Sequence, residues 1–122
     1  MNDPNGEIQR LMDMGEEDLY LEIGRHLFGR PAFPVQTREL LDRAKKWSQE
    51  TLPHAVCGNS QLKALARQDV PTQELILSIC AVLDVGSHLL GSVPAVTAAA
   101  LIVRVGLHKF CASFWERSES AG

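Results

Sequence analysis

The sequence has little charge imbalance, few aromatic residues and no segment that resembles a leader. Its 122 residues carry 12 Lys and Arg against 15 Asp and Glu, a formal net charge of −3 at pH 7. Domains that bind nucleic acid usually have a strongly basic surface, so we expect no nucleic-acid partner. The first residues, Met1–Pro4, lack the basic start and apolar core of a signal peptide, and we therefore expect a cytoplasmic protein.

Cysteine is scarce and odd in number. The three residues are Cys57, Cys80 and Cys111. An odd count without a secretory signal favours free thiols in a reducing compartment. The chain is long enough to bury a core without disulfide or metal staples, so we expect no structural need for either.

Apolar residues recur at spacings of three and four, which is the pattern of amphipathic α-helices, and no stretch shows the sustained alternation of a β-strand. The sequence predicts an all-α fold, a compact bundle of five to seven helices, in one domain over residues 1–122. We expect helices over residues 4–14, 16–28, 38–50, 60–67, 73–90 and 94–116, with Thr37 as an N-cap, a kink or restart at Pro53, and an irregular loop over residues 29–34.

The last two predicted helices are the most apolar part of the chain. Residues 85–103 contain no Asp, Glu, Lys or Arg, a length that approaches a membrane span. A turn at Gly91–Pro94 divides this stretch, so each half is too short to cross a bilayer. We predict a central, buried helical hairpin over residues 72–116 with a polar tail over 117–122. The alternative is a membrane-active effector in which this hairpin inserts.

Two His-x-x-Cys pairs suggest a metal site. Residues three apart share a helix face, and zinc prefers four nitrogen or sulfur ligands in a tetrahedron. If the pairs met, His54, Cys57, His108 and Cys111 would complete such a site. The alternative is that the cysteines are packed core residues beside partly exposed histidines. Without that site we expect no cofactor.

Two further constellations lie on the apolar helices. Cys80, Asp84 and His88 follow one another at spacing four, the residue types of a thiolate nucleophile, an acid and a base. A row along one helix seldom converges, so we interpret them as structural residues. Asp84 and Arg104 lie on either side of the turn at comparable distances, which predicts an ion pair that fixes helix register, or two side chains that each reach solvent.

The chain has no catalytic motif, and its polar residues are dispersed, whereas an enzyme needs them gathered in a pocket. We therefore expect a non-enzymatic protein-interaction module: an adaptor, a regulator or an immunity-type binding protein, whose partner is another protein or a second copy of itself. The alternatives are a metal-binding or thiol-reactive protein and the membrane-active effector. The candidate contact residues are acidic or aromatic, namely Glu16, Glu17, Tyr20, Phe33, Trp47 and Trp115.

Overall fold

The computed structural model describes residues 4–29, 34–85 and 87–121. These residues form seven α-helices and one short 3-10 helix, with no β-strand among them, so the predicted all-α bundle is confirmed. In chain order the helices are α1 (Pro4–Met12), α2 (Glu16–Phe28), α3 (Pro34–Val56), α4 (Ser60–Leu65), α5 (Thr72–Val85), the 3-10 helix (Ser87–Leu89), α6 (Ala95–Val105) and α7 (Leu107–Ala121).

Helix α2 has the predicted bounds because the sequence carries a signal for each of its ends. Its first turn contains Glu16, Glu17 and Asp18, which suit the positive end of the helix dipole. Its last turn is followed by Gly29, whose φ of 87° few other residues tolerate. Near the middle, a Cβ atom added to Gly24 would lie 2.8 Å from Cγ of Leu40, so this glycine lets α2 approach α3 closely.

Helix α3 is longer than predicted and runs unbroken from Pro34 to Val56. The predicted start after Thr37 is wrong, because a proline is well tolerated in the first turn of a helix. The predicted interruption at Pro53 is also wrong. Leu52 and Val56 on either side of Pro53 are fully buried, and the N–H of Cys57 closes the last turn on the carbonyl oxygen of Pro53 at 2.8 Å. Packing of this end therefore outweighs the one hydrogen bond that a proline removes.

Helix α6 lies at the centre of the bundle, as the predicted hairpin requires. It packs against α5, α2 and α1, and α5 packs against it along its length. Six consecutive residues of α6 are buried, namely Thr97, Ala98, Ala99, Ala100, Leu101 and Ile102. A helix that is apolar on nearly every side can satisfy its surface only when other helices surround it.

The continuous last helix predicted over residues 94–116 is wrong, as is the extension of its partner to Leu90. Helix α5 ends at Val85, and the chain breaks again at Gly106, where φ is 101°. This break turns α7 by 87° relative to α6. Helix α7 continues to Ala121, so residues 117–121 are helical rather than a ragged tail.

Among the described residues, no single helix is long and apolar enough to cross a bilayer, and α6 and α7 meet the requirement only when taken together as a bent pair.

We expect Gly106→Ala to destabilise the protein by about 1–2 kcal/mol, because a side chain makes the positive φ at this position unfavourable. Steric clash adds little, since the nearest side-chain atom to the new Cβ is Cβ of Lys109 at 3.9 Å. Urea unfolding measures the change. The matched control is Gly58→Ala, where a Cβ has nothing within 4 Å and φ is not in the positive region, so its free energy of unfolding should not fall. Equal effects of the two substitutions would contradict the role of Gly106.

Candidate functional site

A disulfide joins Cys57, directly after α3, to Cys111 on α7, across 54 residues of chain. The prediction of three free thiols is therefore wrong, and Cys80 is the free cysteine. Both bonded residues are buried, because Cys111 lies on the same inward face of α7 as Leu107 and Trp115. A bridge that closes a long loop restricts the unfolded chain most strongly. Three free thiols were one reason to expect a cytoplasmic protein, and that reason no longer applies.

Trp115 is part of this joint rather than an exposed contact residue. Its indole N–H donates a 2.7 Å hydrogen bond to the carbonyl oxygen of Cys57, and the side chain is buried. The ring centroid of His108 lies 5.7 Å from that of Trp115, and Nζ of Lys63 lies 5.7 Å above the indole. The indole and the disulfide thus fix α7 to the end of α3 at adjacent points.

The two predicted His-x-x-Cys pairs meet at their sulfurs only. Cys57 and Cys111 are bonded to each other and have no thiolate to offer a zinc ion. The imidazoles pack against aromatic rings, His108 on Trp115 and His54 on Phe114 with centroids 6.0 Å apart. Within residues 4–29, 34–85 and 87–121, no three His, Cys, Asp or Glu side chains are grouped to hold a metal. A zinc site here would first require reduction of the disulfide.

Cys80, Asp84 and His88 do not form a row, because α5 ends at Val85 and His88 lies in the 3-10 helix. Burial, with a smaller contribution from the negative charge of Asp84, raises the pKa of the Cys80 thiol to about 11. A thiol with so high a pKa is protonated at neutral pH and is a poor nucleophile. This agrees with the structural interpretation of the three residues.

Asp84 and Arg104 do not form the predicted ion pair. Asp84 is exposed on α5, whereas the guanidinium of Arg104 donates hydrogen bonds to the carbonyl oxygens of Met12 and, at 2.8 Å, of Met14. The last carbonyl groups of α1 have no partner within the helix and lie at the negative end of its dipole. Arg104 therefore ties α6 to the end of α1.

The remaining predicted contact residues do not share one environment. Glu16 and Glu17 are exposed, Trp47 is half-buried against the core, and Phe33 lies outside the described residues. Tyr20 is 5% exposed, so its prediction as an exposed aromatic anchor is wrong. Burial raises the pKa of Tyr20, and the negative charge of Glu16 raises it further.

Two concave surfaces flank the disulfide joint. The first, which we call the polar cleft, has a volume of about 920 Å³ and lies between the start of α2, the end of α3 and α7. Its walls carry carboxylates, cations and aromatic rings from Glu16, Tyr20, Gln49, Glu50, Pro53, His54, Val105, Lys109, Phe110, Ser113, Phe114 and Arg117. Only Glu16 and Tyr20 among its lining residues were predicted from the sequence as contact residues, and they lie one helical turn apart.

The second, which we call the α5 groove, has a volume of about 790 Å³ and runs between the α3–α4 junction and α5. Among the described residues, the lining contains no Asp, Glu, Lys or Arg. It consists of His54, Ala55, Gly58, Asn59, Gln61, Leu62, Leu65, Ser78, Ala81, Val82, Val85 and Leu89. Sequence analysis missed it because the helix was predicted as part of a central, buried hairpin and no second face was considered. Leu77, Ala81 and Val85, at spacing four, were the signal that α5 has a second apolar face.

We expect one titratable thiol in the denatured, unreduced protein and three after reduction, because Cys80 is free and the other two cysteines are bonded. Reduction should also lower the free energy of unfolding by about 2–4 kcal/mol through the loss of the cross-link. A thiol reagent in denaturant gives the count, and urea unfolding with and without dithiol reductant gives the stability. Cys80→Ser is the control, and its stability should keep the same response to reductant. Three thiols before reduction would contradict the bridge.

We expect alkylation of Cys80 to be slow in the folded protein. With a pKa of about 11 rather than 9.0, the thiolate fraction at pH 8 is about a hundredfold lower than in the unfolded chain. Iodoacetamide labelling followed by mass spectrometry measures the rate, and the gap between folded and unfolded protein should close as pH rises toward 11. Equal rates at pH 8 would show that the thiol is not shielded.

Comparison with known proteins gives no function for this chain. No family model matches the sequence, and neither a curated protein nor a solved structure matches the chain. The disulfide joint, the polar cleft and the α5 groove are therefore the features from which a function is argued.

Proposed function

We propose that the chain is a non-enzymatic protein-interaction module and that it binds another helical protein chain, in the first instance a second copy of itself, through the α5 groove. The observation that carries this proposal is the uncharged character of the groove.

The composition of the groove differs from that of an ordinary surface. Charged residues make up 22% of the chain, yet none of those that the structure describes lines the groove. The central part of a protein–protein interface is depleted in charge in the same way, because a charge buried without a partner is costly. Asn59 and Gln61 leave neutral polar groups at the margin, which is where an interface is usually wet.

Exposed apolar side chains stand at the edge of the groove. Val85 is 88% exposed and Leu77 is 50% exposed, both on the outer face of α5. Complete burial of an aliphatic side chain of this size contributes about 1.5–3 kcal/mol. Association through α5 would recover this free energy, whereas the isolated chain leaves these side chains in water.

A second copy of the chain fits this surface because α5 supplies both an apolar ridge and one wall of the groove. The ridge formed by Leu77, Ala81 and Val85 stands beside the groove that Ala81 and Val85 also line. Two chains related by a twofold axis can therefore each place a ridge in the groove of the other, which is the isologous contact typical of homodimers. The uncharged walls leave no like charges opposed at the centre of such a contact.

We expect the protein to form dimers with a dissociation constant below about 100 µM, the range of small specific interfaces. Val85→Glu and Ala81→Glu should each weaken the dimer at least about tenfold, because each places an unpaired carboxylate in the contact. Analytical ultracentrifugation over a range of concentrations measures the equilibrium.

Gln68→Glu is the control, because it adds the same charge at an exposed residue that does not line the groove. Its dimerisation and its thermal midpoint should match those of the unmodified protein. Two results would show that the α5 groove is not this interface. One is a protein that stays monomeric at millimolar concentration, and the other is a dimer that neither Val85→Glu nor Ala81→Glu weakens.

A further inference from the structure

We propose that the polar cleft is a binding site for a small zwitterionic molecule with an aromatic or flat apolar body, a ligand of the amino-acid type. Three observations carry this inference: opposite charges on different walls, a largely buried tyrosine whose hydroxyl has no hydrogen-bond partner among the described residues, and two phenyl rings that line the cleft. The site shares His54 with the α5 groove but none of the residues changed in its test, so it does not depend on the proposed interface.

The two signs of charge come from different helices. Glu16 on α2 and Glu50 on α3 contribute carboxylates, whereas Lys109 and Arg117 on α7 contribute cations. Lys109, Ser113 and Arg117 follow one another at spacing four, so they form one face of α7. Among the described residues, none of the four charged groups is in an ion pair with another protein group. Nε of Arg117 donates a 3.4 Å hydrogen bond to the carbonyl oxygen of Ser113. All four side chains are exposed, so a bound molecule with both signs of charge can pair with them.

The start of α7 strengthens the basic wall. Val105 and Lys109 both line the cleft, so the first turn of this helix lies against it. The positive end of a helix dipole favours a negative group, and here an ammonium lies in the same turn. The ligand's carboxylate is therefore assigned to the Lys109 side, and its ammonium to Glu16 and Glu50.

Tyr20 supplies a directional polar contact on the acidic wall. The residue is 95% buried, and among the described residues its hydroxyl has no hydrogen-bond partner. The hydroxyl is not sealed in the core, since Ser48 Oγ is the one enclosed and unpartnered side-chain oxygen or nitrogen in the described part of the chain. Tyr20 and Glu16 both line the cleft, so the accessible part of the Tyr20 side chain faces it. A hydroxyl that reaches the cleft is available there to bond to a ligand or to water.

The apolar surface of the cleft indicates that the uncharged part of the ligand is flat and apolar. Phe110 and Phe114 lie one turn apart on α7 and are half-buried, so each keeps part of its ring toward the cleft. Phenyl rings favour offset or edge contacts with another flat group. The volume of about 920 Å³ is in the range of small-molecule sites. A single aromatic amino acid is smaller than this volume and would occupy only the part beside the two phenyl rings.

The test uses the full, oxidised protein and three matched probes: L-phenylalanine, 3-phenylpropionate, which keeps the carboxylate alone, and 2-phenylethylamine, which keeps the ammonium alone. We expect L-phenylalanine to bind with a dissociation constant of about 1 mM or tighter, and each singly charged probe at least about tenfold more weakly. Calorimetry measures affinity, and amide chemical-shift changes should be confined to the start of α2, the end of α3 and α7.

Three substitutions separate the contacts. Tyr20→Phe should weaken L-phenylalanine binding by about fivefold to tenfold through loss of one hydrogen bond. Lys109→Gln should weaken binding of L-phenylalanine and 3-phenylpropionate but not of 2-phenylethylamine, and Glu50→Gln should weaken binding of L-phenylalanine and 2-phenylethylamine but not of 3-phenylpropionate. The controls Lys46→Gln and Glu17→Gln remove the same charges at exposed residues outside the cleft and should change nothing.

The inference is overturned by any of three results. The first is the lack of saturable binding of L-phenylalanine at 10 mM. The second is equal affinity for the zwitterion and a singly charged probe. The third is an affinity that Lys109→Gln and Glu50→Gln change no more than their controls do. Each of these leaves the α5 groove untouched, so its proposed role stands or falls separately.

Discussion

The burial of α6 on all sides is the constraint from which the rest of the structure follows. Residues 97–102 contain no charged group and leave no face that could be turned to water, so other helices must surround them. Helices α1, α2 and α5 do so, and each offers an apolar stripe that its own spacing provides. The one cation on α6, Arg104, reaches the end of α1 and hydrogen-bonds to its carbonyl oxygens instead of opening the core to solvent.

Helix α7 cannot continue along that centre, and this determines where the cavities form. The positive φ at Gly106 turns the chain by 87°, so α7 crosses the end of the bundle instead of extending it. Its inward face carries Cys111 and Trp115, which are fixed to the end of α3 by a covalent bond and a hydrogen bond. Its remaining faces then stand at an angle to α2 and α3, and the polar cleft is the space between them.

Helix α5 divides its surface between two tasks. Ile76, Ile79 and Leu83 pack inward, while Leu77 and Val85 stay in water beside a groove without charge. The proposed contact with another chain uses the second face, and the proposed ligand site lies in the polar cleft. Both are binding functions, and neither requires the reactive thiol that Cys80, with its high pKa, does not provide.

The sequence by itself determined the all-α class, the ends of α2 and the burial of α6, because helix caps and apolar periodicity are local properties that survive in most tertiary contexts. It did not determine which partners distant residues would find. The meeting of Cys57 with Cys111, the contact of Arg104 with Met14, the burial of Tyr20 and Trp115, and the continuity of α3 through Pro53 all depend on how whole helices pack. The two clefts belong to the same class of property, since a cavity is the space that several helices leave between them and is encoded in no single segment.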